Sequence, residues 1–269
     1  PNIAPEPSIM KVLQESIMVP ENYKYAINEL PEMKSAIHDW YKNRYNVELT
    51  YDEMICLQGS QEALSTLFLA MCDPGDIVLV PDPYYPIFSD GPKIAGAKVE
   101  YMPLLQENNY VIQLDQIDEE IAKKAKMMIV SYPNNPTCAI APDSFYEELI
   151  QFAKKYDIVV LHDNAYSELV FDGKVGKSFL SFEGAKEIGI ELNSFSKTYG
   201  MAGARLGVCV GNKEVIDCYN TLKSNMDYGI FLPIQYAGIE ALRHGGASIH
   251  STCQAYQDRR DALCECAQY

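Results

Sequence analysis

Three residues of this chain stand where apolar runs give way to turns, and each is of a type that does chemistry in such a place. Lys197 lies in residues 193–207, N-S-F-S-K-T-Y-G-M-A-G-A-R-L-G, after an apolar run ending in Ile190 and Leu192 that reads as a buried strand. A lysine leaving a buried strand is partly desolvated, so its amine is easier to deprotonate and can attack a carbonyl. Ser194 offers a hydroxyl and Arg205 a planar donor fork, and both suit a phosphate. The same stretch also reads as a surface lysine in a glycine-rich turn. Asp163 follows the apolar run 158–161, within His162-Asp163-Asn164-Ala165-Tyr166. A carboxylate at the end of a buried strand needs a cationic partner or several donors, unless it merely caps the turn. Asn135 follows the run 127–130, in S-Y-P-N-N-P-T, where asparagine before proline is first of all a turn signal.

The elements that must position these side chains can be read from periodicity. Residues 55–57 form a short strand, followed by Gly59-Ser60-Gln61 and a helix with the apolar stripe Ala63, Leu64, Leu67, Phe68 and Met71. Strand, small-residue turn and helix start make an anion site, because free N–H groups and the helix dipole meet there. Ser60 is either a plain N-cap or a phosphate ligand, and the two are compatible. The strand 76–80 runs into Pro81-Asp82-Pro83-Tyr84-Tyr85-Pro86, a loop stiffened by prolines. A strand at 99–102, a polar-faced helix over 114–124 and a capping box Ser144-x-x-Glu147 opening the next helix follow. After Lys197 come a strand at 206–210, a helix marked by Val215, Ile216, Tyr219 and Leu222, a polar turn at 223–229, and helices at 233–242 and from 248 onward. Ahead of all this, Pro31 opens a helix with Met33, Ile37, Trp40, Tyr41 and Arg44 on one face, and residues 1–30 show little periodicity. Strands alternating with helices from 55 to 210 predict an α/β fold, a mostly parallel sheet with helices on both faces. Ligands gather beyond the carboxyl ends of such strands, where all these candidates fall.

Composition narrows the partners. The 37 acidic against 22 basic residues give a net charge of −15, which repels phosphate backbones and argues against nucleic acid. Eight cysteines without C-x-x-C pairs, taken together with a cytoplasmic setting, predict reduced thiols and no zinc or other metal site. Neither a membrane-length apolar run nor a signal-peptide pattern is visible, and the start at Pro1 suggests a chain trimmed at its ends.

The motifs G-S-Q-E-A-L, P-Y-Y-P, N-N-P-T, D-N-A-Y and S-F-S-K-T-Y-G-M-A-G-A-R occur in this order over nearly the whole chain. Together they resemble the class I/II aminotransferases, fold-type I enzymes dependent on pyridoxal 5′-phosphate. The resemblance implies that Lys197 holds the cofactor as a Schiff base and then serves as general acid/base in transamination between an amino acid and a 2-oxo acid. It implies that Asp163 pairs with the pyridine nitrogen and that Asn135 and Tyr166 address the phenolic oxygen. Tyr85 would stack on the ring, with Tyr84 as its competitor. Gly59, Ser60, Gln61, Ser194 and Arg205 would hold the phosphate, together with Tyr25 from a neighbouring subunit of a homodimer. Residues 1–30 would be an arm and small-domain remnant, 31–246 the cofactor-binding large domain, and 247–269 the start of the interdomain helix, with the small domain largely missing. The turn at 223–229 is similar to that of enzymes acting on aspartate or LL-diaminopimelate. Two positions depart from the family pattern: Glu29 replaces a glycine, and Cys138 stands where a glycine usually follows Asn-Pro-Thr. A positive φ at Cys138 would cost on the order of 1 kcal/mol. Alternatives that share the cofactor ligands are a carbon–sulfur β-lyase and the sensor domain of a transcription regulator, with an inert fragment as the third.

Overall fold

Strands covered on both faces are apolar along nearly their whole length, and in this chain the stretches that satisfy that rule assemble into one seven-stranded sheet. The computed structural model describes residues 3–267. In chain order they form α1 (Pro7–Ile17), α2 (Pro31–Tyr45), β1 (Met54–Leu57), α3 (Gln61–Met71), β2 (Ile77–Asp82), α4 (Ile87–Ile94), β3 (Lys98–Pro103), α5 (Glu119–Ala122) and β4 (Ala125–Ser131). There follow α6 (Asp143–Tyr156), β5 (Val159–Asp163), α7 (Ala185–Ile188), β6 (Gly189–Ser194), α8 (Phe195–Thr198), β7 (Gly207–Gly211), α9 (Lys213–Met226), α10 (Leu232–His244) and α11 (Gly246–Cys266).

The sheet order is β1-β7-β6-β5-β4-β2-β3. Strand β7 pairs antiparallel with both β1 and β6, and all other pairs are parallel. Alternate side chains enter two separate cores, as the two-residue period of a strand requires. Leu57, Val78, Ile129, Leu161 and Leu192 pack with Leu64 and Phe68 of α3 and Tyr219 of α9. Cys56, Leu79, Met128, Val160 and Val208 pack on the other face with Ile37 and Tyr41 of α2, Leu149 of α6 and Ala237 of α10. The expected α/β architecture with helices on both faces is the observed one.

Local expectations fare less evenly. The segment before Pro31 contains the helix α1, opened by Pro7 at its first turn and packed against α10. The helix expected over 114–124 is two short pieces, a single 3₁₀ turn at Leu114–Gln116 and α5, because Asp118 turns its carboxylate onto the N–H groups of Glu120 and Ile121 and restarts the chain there. Helix α6 begins at Asp143, after Pro142, so Ser144 lies inside its first turn and no capping box forms. Residues 223–226 belong to α9, not to a turn. Lys197 sits in the one-turn helix α8 rather than in an open loop.

Candidate active site

The turn after β1 is built around a close approach. Gly59 has φ +78°, and a Cβ there would lie 2.2 Å from Arg205 Nη2. The positive φ favours glycine, and a side chain there would displace the Arg205 guanidinium. The guanidinium is fixed by donating to Ala202 O (3.0 Å) and Gln58 O (3.3 Å). Gly207, the first residue of β7, is equally constrained: a Cβ would meet Ser60 N at 2.7 Å. Ser60 takes the N-cap position of α3 in helical conformation and makes no side-chain cap bond, so its hydroxyl is left for a ligand. The first N–H groups of α3 have no intrahelical acceptor, as at any helix start. Ser194 caps α8 by accepting from Ser196 N at 3.2 Å and keeps its own proton to donate. Ser60, Gly59 and Arg205 therefore meet as the sequence suggested, and Gln61 opens α3 beside them.

The second half of the site lies at the ends of β4, β5 and β6. Lys197, half-buried, places its Nζ 5.7 Å from the centre of the Tyr166 ring. Tyr166 is hydrogen-bonded by Asn135, and its hydroxyl pKa is raised first by burial and then by the charge of Asp163. Asp163 is 6% exposed, and its Oδ1 finds no hydrogen-bond partner among the described residues. Burial pushes its pKa up to about 6, against the charges of His162 and Lys197 and the Ala165 N–H, which pull it down. A buried, half-satisfied carboxylate beside a lysine is where a protonated nitrogen base fits. Lys197, Tyr166 and Asn135 line a cleft of about 670 Å³ whose far wall includes Cys138, Phe171, Tyr256 and Arg260. Arg260 lies over the Phe171 ring and binds Asp172 with both nitrogens at 2.7 Å, latching α11 to this wall.

Tyr85, in the loop after β2, donates to Gln61 Oε1 at 2.8 Å, which ties the stacking candidate to the anion turn. Tyr84 instead stacks on Tyr101, 5.5 Å between centres. Tyr25 is not brought to the others: it is 78% exposed and packs on Tyr228 with ring centres 5.1 Å apart. Cys138 has φ +60°, the left-handed conformation that favours glycine. Glu29, where a glycine was expected, lends its carboxylate to Cys56 N (2.8 Å) on the edge strand β1 and pairs with Lys34 at 3.4 Å.

Sequence reasoning left two buried groups without a role. His162 and Glu191 are both fully buried, register partners across β5 and β6, with His162 Nδ1 3.0 Å from Glu191 Oε2. Lys223, 4% exposed, reaches Glu62 and Asp227 at 2.6 Å each. The spacing of Lys223 and Asp227 is a helical i,i+4 signal, but Glu62 lies 161 residues away and only the fold reveals it.

The profile of the family described as "Aminotransferase class I and II" matches residues 2–266. The chain is 47% identical to an LL-diaminopimelate aminotransferase from Halothermothrix orenii over 260 residues, 96% of this chain and 67% of that protein. It is 44% identical to the enzyme of the same name from Moorella thermoacetica, covering 91% of this chain and 64% of that protein. Among solved structures, substrate-bound BacF from Bacillus subtilis superposes with a TM-score of 0.95 at 37% identity, covering 98% of this chain and 68% of that one. The chain thus spans about two thirds of the length of these relatives. The profile match runs through the Gly59 turn, Asp163 and Lys197, and the superposed structure shares the fold: this chain belongs to the class I and II aminotransferases, fold-type I enzymes that transfer amino groups with pyridoxal 5′-phosphate.

Proposed function

We propose that the cleft around Lys197 is the active site of an aminotransferase that takes LL-diaminopimelate as amino donor and a 2-oxo acid as acceptor, working as a cytoplasmic homodimer. The observation that carries the catalytic assignment is the buried, half-paired carboxylate of Asp163 beside Lys197 and Tyr166. The donor is supported by the names of the relatives at 47% and 44% identity. The eight free thiols support a reducing compartment.

The residues present fit pyridoxal phosphate. Gly59, Ser60 and Gln61 form a turn with open donors for its phosphate, Ser194 keeps a proton to donate, and the Arg205 guanidinium lies against Gly59, where a Cβ would displace it. When bound, the cofactor supplies the electron sink for a proton leaving the substrate's α-carbon. Lys197 would hold it through Nζ and, as a free amine once the substrate has taken its place, would carry the proton from the substrate's α-carbon to the cofactor carbon that the lysine had occupied. Asp163 would hold the ring nitrogen protonated. Asn135 and Tyr166 would donate to the phenolic oxygen, and Tyr85 would cover the ring, a contact worth about 1 kcal/mol. Residues 31–246 constitute the cofactor domain in this reading, with 1–30 and 247–269 leading to the small domain.

The dimer is supported by an exposed aromatic patch. Tyr25 on Tyr228, and Tyr23 on Phe231 at 5.3 Å, leave four rings at the surface, 78%, 62%, 65% and 41% exposed. Tyr25 would serve the partner's phosphate from there.

Two measurements test the proposal. Borohydride reduction with the cofactor, followed by peptide mapping, should label Lys197; label on another lysine sinks the assignment. Incubation with LL-diaminopimelate and a 2-oxo acid should yield the acceptor's amino acid, and release of pyruvate from cystathionine without any acceptor would point to a β-lyase instead.

A further inference from the structure

Helix α3 starts the phosphate turn with an acid in the wrong place. Glu62 is the second residue of α3, only three residues beyond Gly59. A carboxylate in the first turn complements the helix dipole, and so competes with any other anion bound there. The structure gives Glu62 two tasks that keep it in place. Its Oε2 accepts from Gln58 N at 2.5 Å, and its own N–H donates to Gly59 O at 3.0 Å, so it closes the loop Gln58-Gly59-Ser60 from both sides. Its Oε1 meets Lys223 Nζ at 2.6 Å. Lys223 comes from the last turn of α9, is 4% exposed, and splits its charge between Glu62 and Asp227. Asp227 in turn accepts from Gly229 N at 2.8 Å, next to Tyr228 of the aromatic patch. Nothing in the catalytic assignment uses this lysine.

We propose that Lys223 is a positioning residue for the cofactor's phosphate: its ammonium offsets part of the charge of Glu62 at the mouth of α3 and holds Glu62 where it shapes the Gly59–Ser60 turn. The inference rests on the reading of that turn as the phosphate site. A bound phosphate near an uncancelled Glu62 carboxylate would meet a like charge at short range, where the interaction is least screened. Lys223 Nζ is engaged by Glu62 and Asp227, so the proposal predicts an effect concentrated in the part of the affinity that the phosphate contributes.

The test is absorbance titration of the full chain with pyridoxal 5′-phosphate and with unphosphorylated pyridoxal. Lys223→Met should raise the Kd for the phosphorylated form by about tenfold or more while moving that for pyridoxal by less than about twofold. Adding Glu62→Gln should restore most of the loss, because the amide oxygen still accepts from Gln58 N and the repelling charge is gone. Equal weakening of both ligands, or a double variant no better than Lys223→Met, would overturn the role of Lys223. Wild-type protein that binds the two forms equally well would overturn the phosphate reading of the turn itself. Should Lys223→Met not fold, Lys223→Gln, which can still donate to Glu62 without the charge, is judged by the same criterion.

Discussion

Asp163 carries its charge in a place that resists charge. Its pKa is pushed up from 3.8 to about 6 by burial, so between those values the folded protein binds a proton that the unfolded chain has released. Without cofactor, stability from this group is therefore greatest below pH 4 and declines as the pH rises towards 6, by roughly 3 kcal/mol in total. Urea unfolding of the cofactor-free protein at pH 4.5 and pH 7 should show that decline, and Asp163→Asn should remove it and leave the variant the more stable of the two at pH 7. With cofactor the sign of the requirement changes, since the protonated ring nitrogen needs the anion. Asp163→Asn should keep most cofactor affinity through the phosphate turn yet slow the chemical step by about a hundredfold or more. Near-normal single-turnover rates in that variant would leave Asp163 as a turn cap, a task asparagine performs equally well. These residues were legible in the sequence because each is a local event: an apolar run that stops, and a polar side chain that appears at the stop.

At the scale of elements, strands were easier to read than helix ends. A strand buried on both faces announces itself by a run of apolar residues, and β4, β5, β6 and β7 do so. Helix ends depend on one or two hydrogen bonds, and there Asp118 and Pro142 decided differently from the periodic pattern. Partners across the sheet leave no sequence trace at all. Glu191, invisible as a site, is fully buried and serves Tyr41 OH at 3.1 Å, Phe179 N at 2.8 Å, Ser178 Oγ at 3.0 Å and His162 Nδ1 at 3.0 Å. Removing it by Glu191→Ala leaves several buried donors unpaired and should lower the unfolding free energy by about 3–5 kcal/mol in urea titration. Cys138 makes the opposite prediction. At φ +60° a side chain is strained by about 1–2 kcal/mol, part of which glycine loses again to the entropy of the unfolded chain. Cys138→Gly should therefore stabilise by about 0.5 kcal/mol, whereas the β-branched Cys138→Val should destabilise. A Gly variant less stable than the parent would show that the thiol makes a compensating contact.

The whole molecule carries a net charge of −15 and an aromatic patch on one side. Sedimentation should find a dimer, and Tyr25→Ser/Tyr228→Ser should move it towards monomer while weakening cofactor binding; a monomer that still transaminates would remove the need for Tyr25. The long helix α11 has a mechanical consequence of its own. It leaves α10 at Gly245–Gly246, a glycine pair of the kind at which helices bend, and buries only Thr252 along its length. From Gly246 to Arg260 is roughly 21 Å of helix. A swing of about 10° at the glycine pair would thus carry the Arg260 guanidinium through about 4 Å, more than the length of the bonds that it makes to Asp172. The helix would then act as a lever with its fulcrum at the glycines and its catch at Asp172, and a small change of angle at one end would break the Arg260–Asp172 contacts in the wall of the cleft that Lys197 lines.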